Sequence, residues 1–136
     1  MAEKADRFNH GSDKKKKTIL LVDDDCRELT ILAECLRDTG YRIVMEQDAR
    51  SALSEAKKGV DVIVTDHRIP EMDGMKFVEA LRRTNSEIPV IMLTAHAGVD
   101  TYFKALSLGV FEYVNKPVGQ EELKRIIHMA LDSTHA

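Results

Sequence analysis

Four short stretches of the 136-residue chain hold the side chains that could do chemistry together. Asp23-Asp24-Asp25 follows the apolar run Ile19-Leu20-Leu21-Val22. Asp66 follows Val60 to Thr65, Thr94 and Ala95 follow Ile88 to Leu93, and Asn115-Lys116-Pro117 follows Val110 to Val114. A lone aspartate after an apolar run is usually a turn or cap residue. Asp25, with Glu28 three residues on, suits a capping box that opens a helix, which leaves Asp23 and Asp24 without a local task. Carboxylates brought together repel one another, so they need a cation or one must keep its proton. A hard divalent ion such as Mg²⁺ satisfies them through oxygen ligands at neutral pH. A nearby lysine adds positive charge for an anionic group, and a threonine hydroxyl adds a hydrogen-bond donor. That set suits phosphoryl transfer to an oxygen nucleophile. Other chemistries lack support. There is no G-x-x-x-x-G-K-[ST] loop, no G-x-G-x-x-G, no nucleophile elbow and no Cys–His proximity. Cys26 and Cys35 make neither a disulfide framework nor a zinc pattern, and both read as packing residues of the first helix.

The elements that must position these groups alternate in period. Strand-like stretches (Ile19–Val22, Arg42–Glu46, Val60–Thr65, Ile88–Leu93 and Val110–Val114) are separated by segments with helical spacing. The helical segments carry Leu29, Leu32, Ala33 and Leu36; Ala49, Ala52, Leu53 and Ala56 behind a capping Asp48; Phe77, Val78, Ala80 and Leu81; Tyr102, Phe103, Ala105 and Leu106; and Leu123, Ile126, Ile127 and Ala130. Gly40, Gly59 and Gly109 act as helix stops. Pro89 and the β-branched Val90 and Ile91 make the fourth apolar run a strand. Pro70 to Gly74 reads as a loop, with Asp73 and Gly74 turning into the third helix. Five strands alternating with five helices imply an α/β fold, a parallel sheet with helices on both faces. Function in such sheets collects at the carboxyl ends of the strands, where the four chemical stretches fall.

Those stretches also carry a resemblance. Ile19-Leu20-Leu21-Val22-Asp23-Asp24-Asp25, Asp66-His67-Arg68-Ile69-Pro70-Glu71-Met72-Asp73-Gly74, Leu93-Thr94-Ala95 and Tyr113-Val114-Asn115-Lys116-Pro117, in this order, resemble the receiver domain of two-component response regulators of the chemotaxis-regulator kind. The resemblance spans residues 18 to 132 and implies a flavodoxin-like sheet of strand order 2-1-3-4-5. It implies that Asp66 takes a phosphoryl group from the phosphohistidine of a sensor histidine kinase or phosphotransfer protein. Asp23, Asp24, Asp66 and the backbone carbonyl of Arg68 would hold Mg²⁺, and Lys116 would pair with the phosphoryl oxygens. Thr94 would move to hydrogen-bond the phosphoryl group, and Tyr113 would rotate inward behind it. The face of the fourth helix, fifth strand and fifth helix would then change, toward a downstream effector, the chain's own missing output domain, or a homodimer partner. The Lys116–Pro117 bond would be cis. Arg68 and His96, two residues beyond Asp66 and Thr94, would flank the path of the hydrolytic water and tune the phosphate lifetime.

His67 and His96 stand apart and otherwise read as solvent-facing loop residues. Tyr102 and Phe103 are expected to give one core residue and one output-surface residue. A metal-dependent phosphatase with Asp23 as nucleophile and Asp25 as its acid–base partner is a second reading, but it leaves Asp66 and the Pro70–Gly74 turn unexplained. A receiver-like binding domain that works without phosphorylation is a third, and the complete acceptor set argues against it. Charge is unevenly placed: residues 1–17 carry +3 and residues 18–136 carry −6. The first segment, with Lys14 to Lys17, reads as a disordered basic tail before a receiver domain at 18–133. The acidic body argues against direct nucleic-acid binding. No apolar run approaches the roughly 20 residues that span a bilayer, and no secretory signal is visible, so a reducing cytoplasmic setting is expected. These residues are expected to hold one receiver and no effector, either a single-domain regulator or a piece of a longer chain.

Overall fold

The computed structural model describes residues 16–69, 72–84, 86–95 and 98–133. Residues 1–15 of the expected tail, Pro70, Glu71 and His96 lie outside the described residues. In chain order the elements are β1 (Thr18–Val22), α1 (Cys26–Cys35), β2 (Arg42–Glu46), α2 (Ala49–Lys57), β3 (Val62–Asp66), β4 (Arg68–Ile69), β5 (Met72–Asp73), α3 (Gly74–Arg83), β6 (Val90–Thr94), α4 (Val99–Ser107), β7 (Glu112–Asn115) and α5 (Gln120–Ser133).

Five strands pair in the order β2-β1-β3-β6-β7, all parallel. This is the 2-1-3-4-5 order once the two-residue strands are set aside, and it matches the expectation. Side chains alternate across the sheet, so each strand feeds two cores. Leu20, Val22, Ile63, Val90, Met92 and Tyr113 face α2, α3 and α4. Ile19, Leu21, Val62, Val64, Ile91 and Leu93 face α1 and α5. Burial on both faces explains why the strands read as unbroken apolar runs. Phe77 on α3 and Ile127 on α5 are fully buried anchors of the two layers. Truncating such a side chain to alanine costs about 2–5 kcal/mol.

Local signals set the helix ends. Asp25, Asp48 and Asp73 cap α1, α2 and α3 by accepting from the backbone N–H of Arg27, Ser51 and Lys76 at 2.8–2.9 Å. Gly40, Gly59 and Gly109 all have positive φ, as their role at chain reversals requires. At the foot of the molecule Arg82 ties α3 to the end of α4. Its guanidinium donates to the carbonyls of Ser86, Ile88, Leu108 and Gly109 at 2.9–3.1 Å.

Three details differ from the sequence reading. The third, fourth and fifth sheet strands start two residues later than their apolar runs. Asp66, Thr94 and Asn115 are therefore the last strand residues, not the first loop residues. Part of the cause is local: the Asp61 carboxylate is occupied by the Thr18 N–H, and Pro89 has no N–H to give a ladder. Second, the expected loop after Asp66 contains a small antiparallel pair, Arg68–Ile69 with Met72–Asp73. Third, neither Tyr102 nor Phe103 is core: α4 buries only Ala105, while Val99, Tyr102, Phe103 and Leu106 are exposed. Cys26 is likewise exposed, and only Cys35 is buried. No helix among the described residues is long and apolar enough to cross a membrane.

Candidate phosphoacceptor site

Alternation along the strands decides which groups meet. Asp23 extends β1, its N–H donating to the Glu46 carbonyl at 3.2 Å, and it shares parity with Ile19 and Leu21. Asp66 shares parity with Val62 and Val64, and Lys116 with Val114, all on the α1/α5 side. Their side chains accordingly converge. Lys116 Nζ lies 3.0 Å from Asp66 Oδ1 and 4.0 Å from Asp23 Oδ2. Lys116 is held in place by its own N–H, which donates to the Thr94 carbonyl at 2.7 Å, and the following Lys116–Pro117 bond is cis as expected.

Asp23, Asp24 and Asp66 each place a carboxylate oxygen so that the three lie within 4.8 Å of one another. Asp23 is buried, Asp66 half-buried and Asp24 exposed, so the cluster opens to solvent on one side. Burial raises the Asp23 pKa to about 6 against the lowering pull of the Asp25 N–H; the charges of Asp66 and Asp24 add to the rise and Lys116 opposes it. Burial would lower Lys116, but its hydrogen bond and charge pairing with Asp66, with help from Asp23, outweigh that and hold it above the ordinary lysine value. One ammonium therefore faces two members of a cluster of three carboxylates. The excess negative charge and the all-oxygen donor set fit a hard divalent cation.

Thr94 has the opposite parity, shared with Val90, Met92 and the β7 residue Tyr113, so the hydroxyl approaches the site from the α3/α4 side. Thr94 is 2% exposed. A cavity of ≈220 Å³ lies between the two groups, lined by Asp66, His67, Arg68, Thr94, Ala95 and Lys116. A larger hollow at the other end of the sheet, lined in part by Asp61, Glu87 and Phe111, has no lysine and no carboxylate cluster. Gly74 lets α3 begin against the acceptor loop. Its N–H donates to the His67 carbonyl at 2.6 Å, and a Cβ there would lie 3.0 Å from the carbonyl oxygens of Asp66 and His67.

The family model for the response regulator receiver domain matches residues 19–128. The chain belongs to the response regulator receiver family. Among curated relatives of this receiver domain, the transcriptional regulatory protein ZraR of Escherichia coli (strain K12) is 36% identical over 119 residues, 87% of this chain and 27% of that protein. The regulatory protein AtoC of the same organism is 38% identical over 114 residues, 83% of this chain and 25% of that protein. The chain thus spans about a quarter of the length of these relatives. Two solved structures share the fold: the chemotaxis protein CheY4 of Vibrio cholerae (TM-score 0.80, 29% identity, 85% of this chain and 99% of that one) and a CheY-like receiver domain of Methanospirillum hungatei (TM-score 0.83, 26% identity, 88% and 97%).

Within the receiver domain the expected site residues fall into place unevenly. Asp23, Asp24, Asp66, Lys116 and Thr94 gather around one strand edge. Asp73 and Asp25 serve as helix caps. Arg68 lines the cavity with an exposed side chain. Tyr113 is already buried, its hydroxyl without a hydrogen-bond partner, so inward rotation is not a motion left to it in this state. His67, expected to face solvent, is half-buried between Thr94 and Tyr113. The signal for it was parity: the residue after Asp66 turns to the face that Thr94 and Tyr113 share.

Proposed function

We propose that the chain is a phosphorylation-switched receiver. It takes a phosphoryl group onto Asp66 and catalyses nothing beyond its own phosphorylation and dephosphorylation. The observation that carries this is the 3.0 Å pairing of Lys116 with Asp66 inside the three-carboxylate cluster. In the transfer, an Asp66 carboxylate oxygen attacks the phosphorus of a phosphohistidine. The new O–P bond forms as the P–N bond breaks, and the electron pair leaves with the donor's imidazole. Lys116, fixed on Oδ1, orients the carboxylate and meets the incoming negative charge, and Thr94 supplies a hydroxyl to a phosphoryl oxygen. Asp23, Asp24, Asp66 and the Arg68 carbonyl would hold Mg²⁺, which when bound supplies charge neutralisation to the phosphoryl group. Arg68 and His96 would tune hydrolysis of the product.

The phosphodonor would be a sensor histidine kinase or phosphotransfer protein. The exposed row Val99, Tyr102, Phe103 and Leu106, with β7 and α5 beside it, suits an output face that meets an effector, an output domain or a second copy. The receiver would occupy residues 18–133 and act in the cytoplasm, away from nucleic acid and membrane, with a basic tail before it.

The test is labelling with a small phosphodonor such as acetyl phosphate, with and without Mg²⁺. Wild type should gain an acid-stable, base-labile acyl phosphate only with the metal, and Asp66→Asn should gain none. Full labelling of Asp66→Asn refutes the assignment.

A further inference from the structure

The hollow at the foot of the sheet is ≈550 Å³ in volume, and the phosphoacceptor chemistry makes no use of it. Strand register sets its floor. Ile63 pairs with Val90 and Ile91 with Glu112, so the starts of β3, β6 and β7 lie side by side, about 5 Å apart. Asp61, Glu87 and Phe111 line the hollow from the approaches to these strands, and Ser133 lines it from the end of α5.

Its charge is one-sided. Among the described residues two carboxylates line it and no lysine or arginine does. α5 adds the negative end of its backbone dipole, and its last turn holds Asp132 and no basic residue. Arg82 feels the charge of Glu87, but its guanidinium is committed to four carbonyls. No ion pair among the described residues includes Asp61 or Glu87.

The Thr18 N–H donates to the Asp61 carboxylate at 2.8 Å, so the chain enters β1 at the rim of this hollow. Directly before Thr18 stand Lys14 to Lys17, the longest run of positive charge in the sequence. Lys16 is exposed. Three residues of extended chain span about 10 Å. Two strand spacings, from β1 past β3 to β6, are also about 10 Å.

We propose that this hollow is the docking site of the chain's own basic segment: Lys14 and Lys15 fold back across the foot and set their ammonium groups against Glu87 and the end of α5. A tether of a few residues supplies the effective concentration that a weak charge contact needs. A second copy would instead bring another body of net charge −6 to an acidic hollow. Docked there, the segment straps β1 to the starts of β6 and β7 and leaves the Asp66 edge open.

Carbodiimide cross-linking of the full chain, with ¹⁵N-labelled and unlabelled protein mixed, tests this. Lys14 or Lys15 should link to Glu87 severalfold more than to Glu112, an exposed carboxylate at the same foot that does not line the hollow. The links should join peptides of one isotope. The preference should vanish in 1 M NaCl, where the screening length falls to about 3 Å. As a second readout, Lys14→Glu and Lys15→Glu in one chain should shift the amide signals of Ile88 and Phe111, two and three strands away from β1, and leave that of Asn115 in place. Equal linking to Glu87 and Glu112, or unmoved Ile88 and Phe111 signals, overturns the proposal. Links found only between the two isotopes overturn it as well, because a second copy then occupies the hollow.

Discussion

Replacing Asp23 by asparagine should stabilise the metal-free protein, and the structure sets the size of the gain. Asp23 is 2% exposed, and its ionised form faces Asp66 and Asp24 with Lys116 4.0 Å away. Folding raises its pKa from 3.8 to about 6. A raised pKa means that the neutral form favours the fold. The protonated group is harmless below about pH 4; the destabilising contribution grows between about pH 4 and 6 and is level above that. At roughly 1.4 kcal/mol for each tenfold change in the acidity constant, ionised Asp23 costs about 3 kcal/mol at pH 7.5 and about 1 kcal/mol at pH 4.5. Asparagine keeps the bond from the Asp25 N–H, 2.9 Å long in wild type, because its amide oxygen can accept it, and it removes the charge. The pull of Lys116 is already contained in that pKa, and solvent at the open side of the cluster screens part of the cost, so about 1–3 kcal/mol should be gained at pH 7.5. Urea unfolding followed by circular dichroism, in chelator at both pH values, measures it. Adding Mg²⁺ should then stabilise wild type more than Asp23→Asn and shrink the difference. A variant less stable than wild type at pH 7.5 in chelator refutes the reasoning, as does a gain that does not change between pH 4.5 and 7.5.

Gly74→Ala should cost about 1–3 kcal/mol in unfolding free energy and slow phosphorylation of Asp66, because the added methyl meets backbone oxygens at 3.0 Å and moves the acceptor loop. Denaturant midpoints and labelling time courses read the two effects. Arg82→Met should destabilise by about 2–4 kcal/mol, since four carbonyls lose a charged donor. Acetyl-phosphate labelling of the folded variant should remain, because Arg82 lies at the opposite end of the sheet. Arg68→Ala should change the rate at which the acyl phosphate hydrolyses without preventing its formation, measured by loss of label after removal of the donor.

Element order and strand order were legible because alternation of period is written into buried strands and one-sided helices. Leu20 and Leu21 face different layers, yet both had to be apolar, and that alone marked β1 as a central strand. The acceptor, the acidic pair and the lysine were legible for a similar reason: three aspartates and a lysine at strand ends are more charge than turns and caps require, even though Asp23 also accepts the Asp25 N–H. What escaped was side-chain company at the margins. Tyr102 and Phe103 carry the same apolar spacing as a core face, and composition cannot say that α4 sits shallowly on the sheet. His67 looked like a loop residue because its partners, Thr94 and Tyr113, come from β6 and β7 and meet it only through the sheet's register. The Arg68–Ile69 and Met72–Asp73 pair is too short for any periodicity to reveal.

Arg82 fixes where α4 is able to travel. The guanidinium grips the carbonyls of Leu108 and Gly109, just past the end of the helix, whereas among the described residues the start of the helix carries local bonds between Gly98 and the Thr101 hydroxyl. With Ala105 as the lone buried side chain between them, α4 is a rod pinned at one end. Nine residues make it about 13 Å long, so a tilt of about 10° about the pin carries its free end about 2 Å while the pinned end stays put. A displacement applied at the start of the helix would therefore exceed one applied near the pin. The widest sweep falls on Val99, Tyr102 and Phe103, and Leu106 marks the nearly stationary fulcrum.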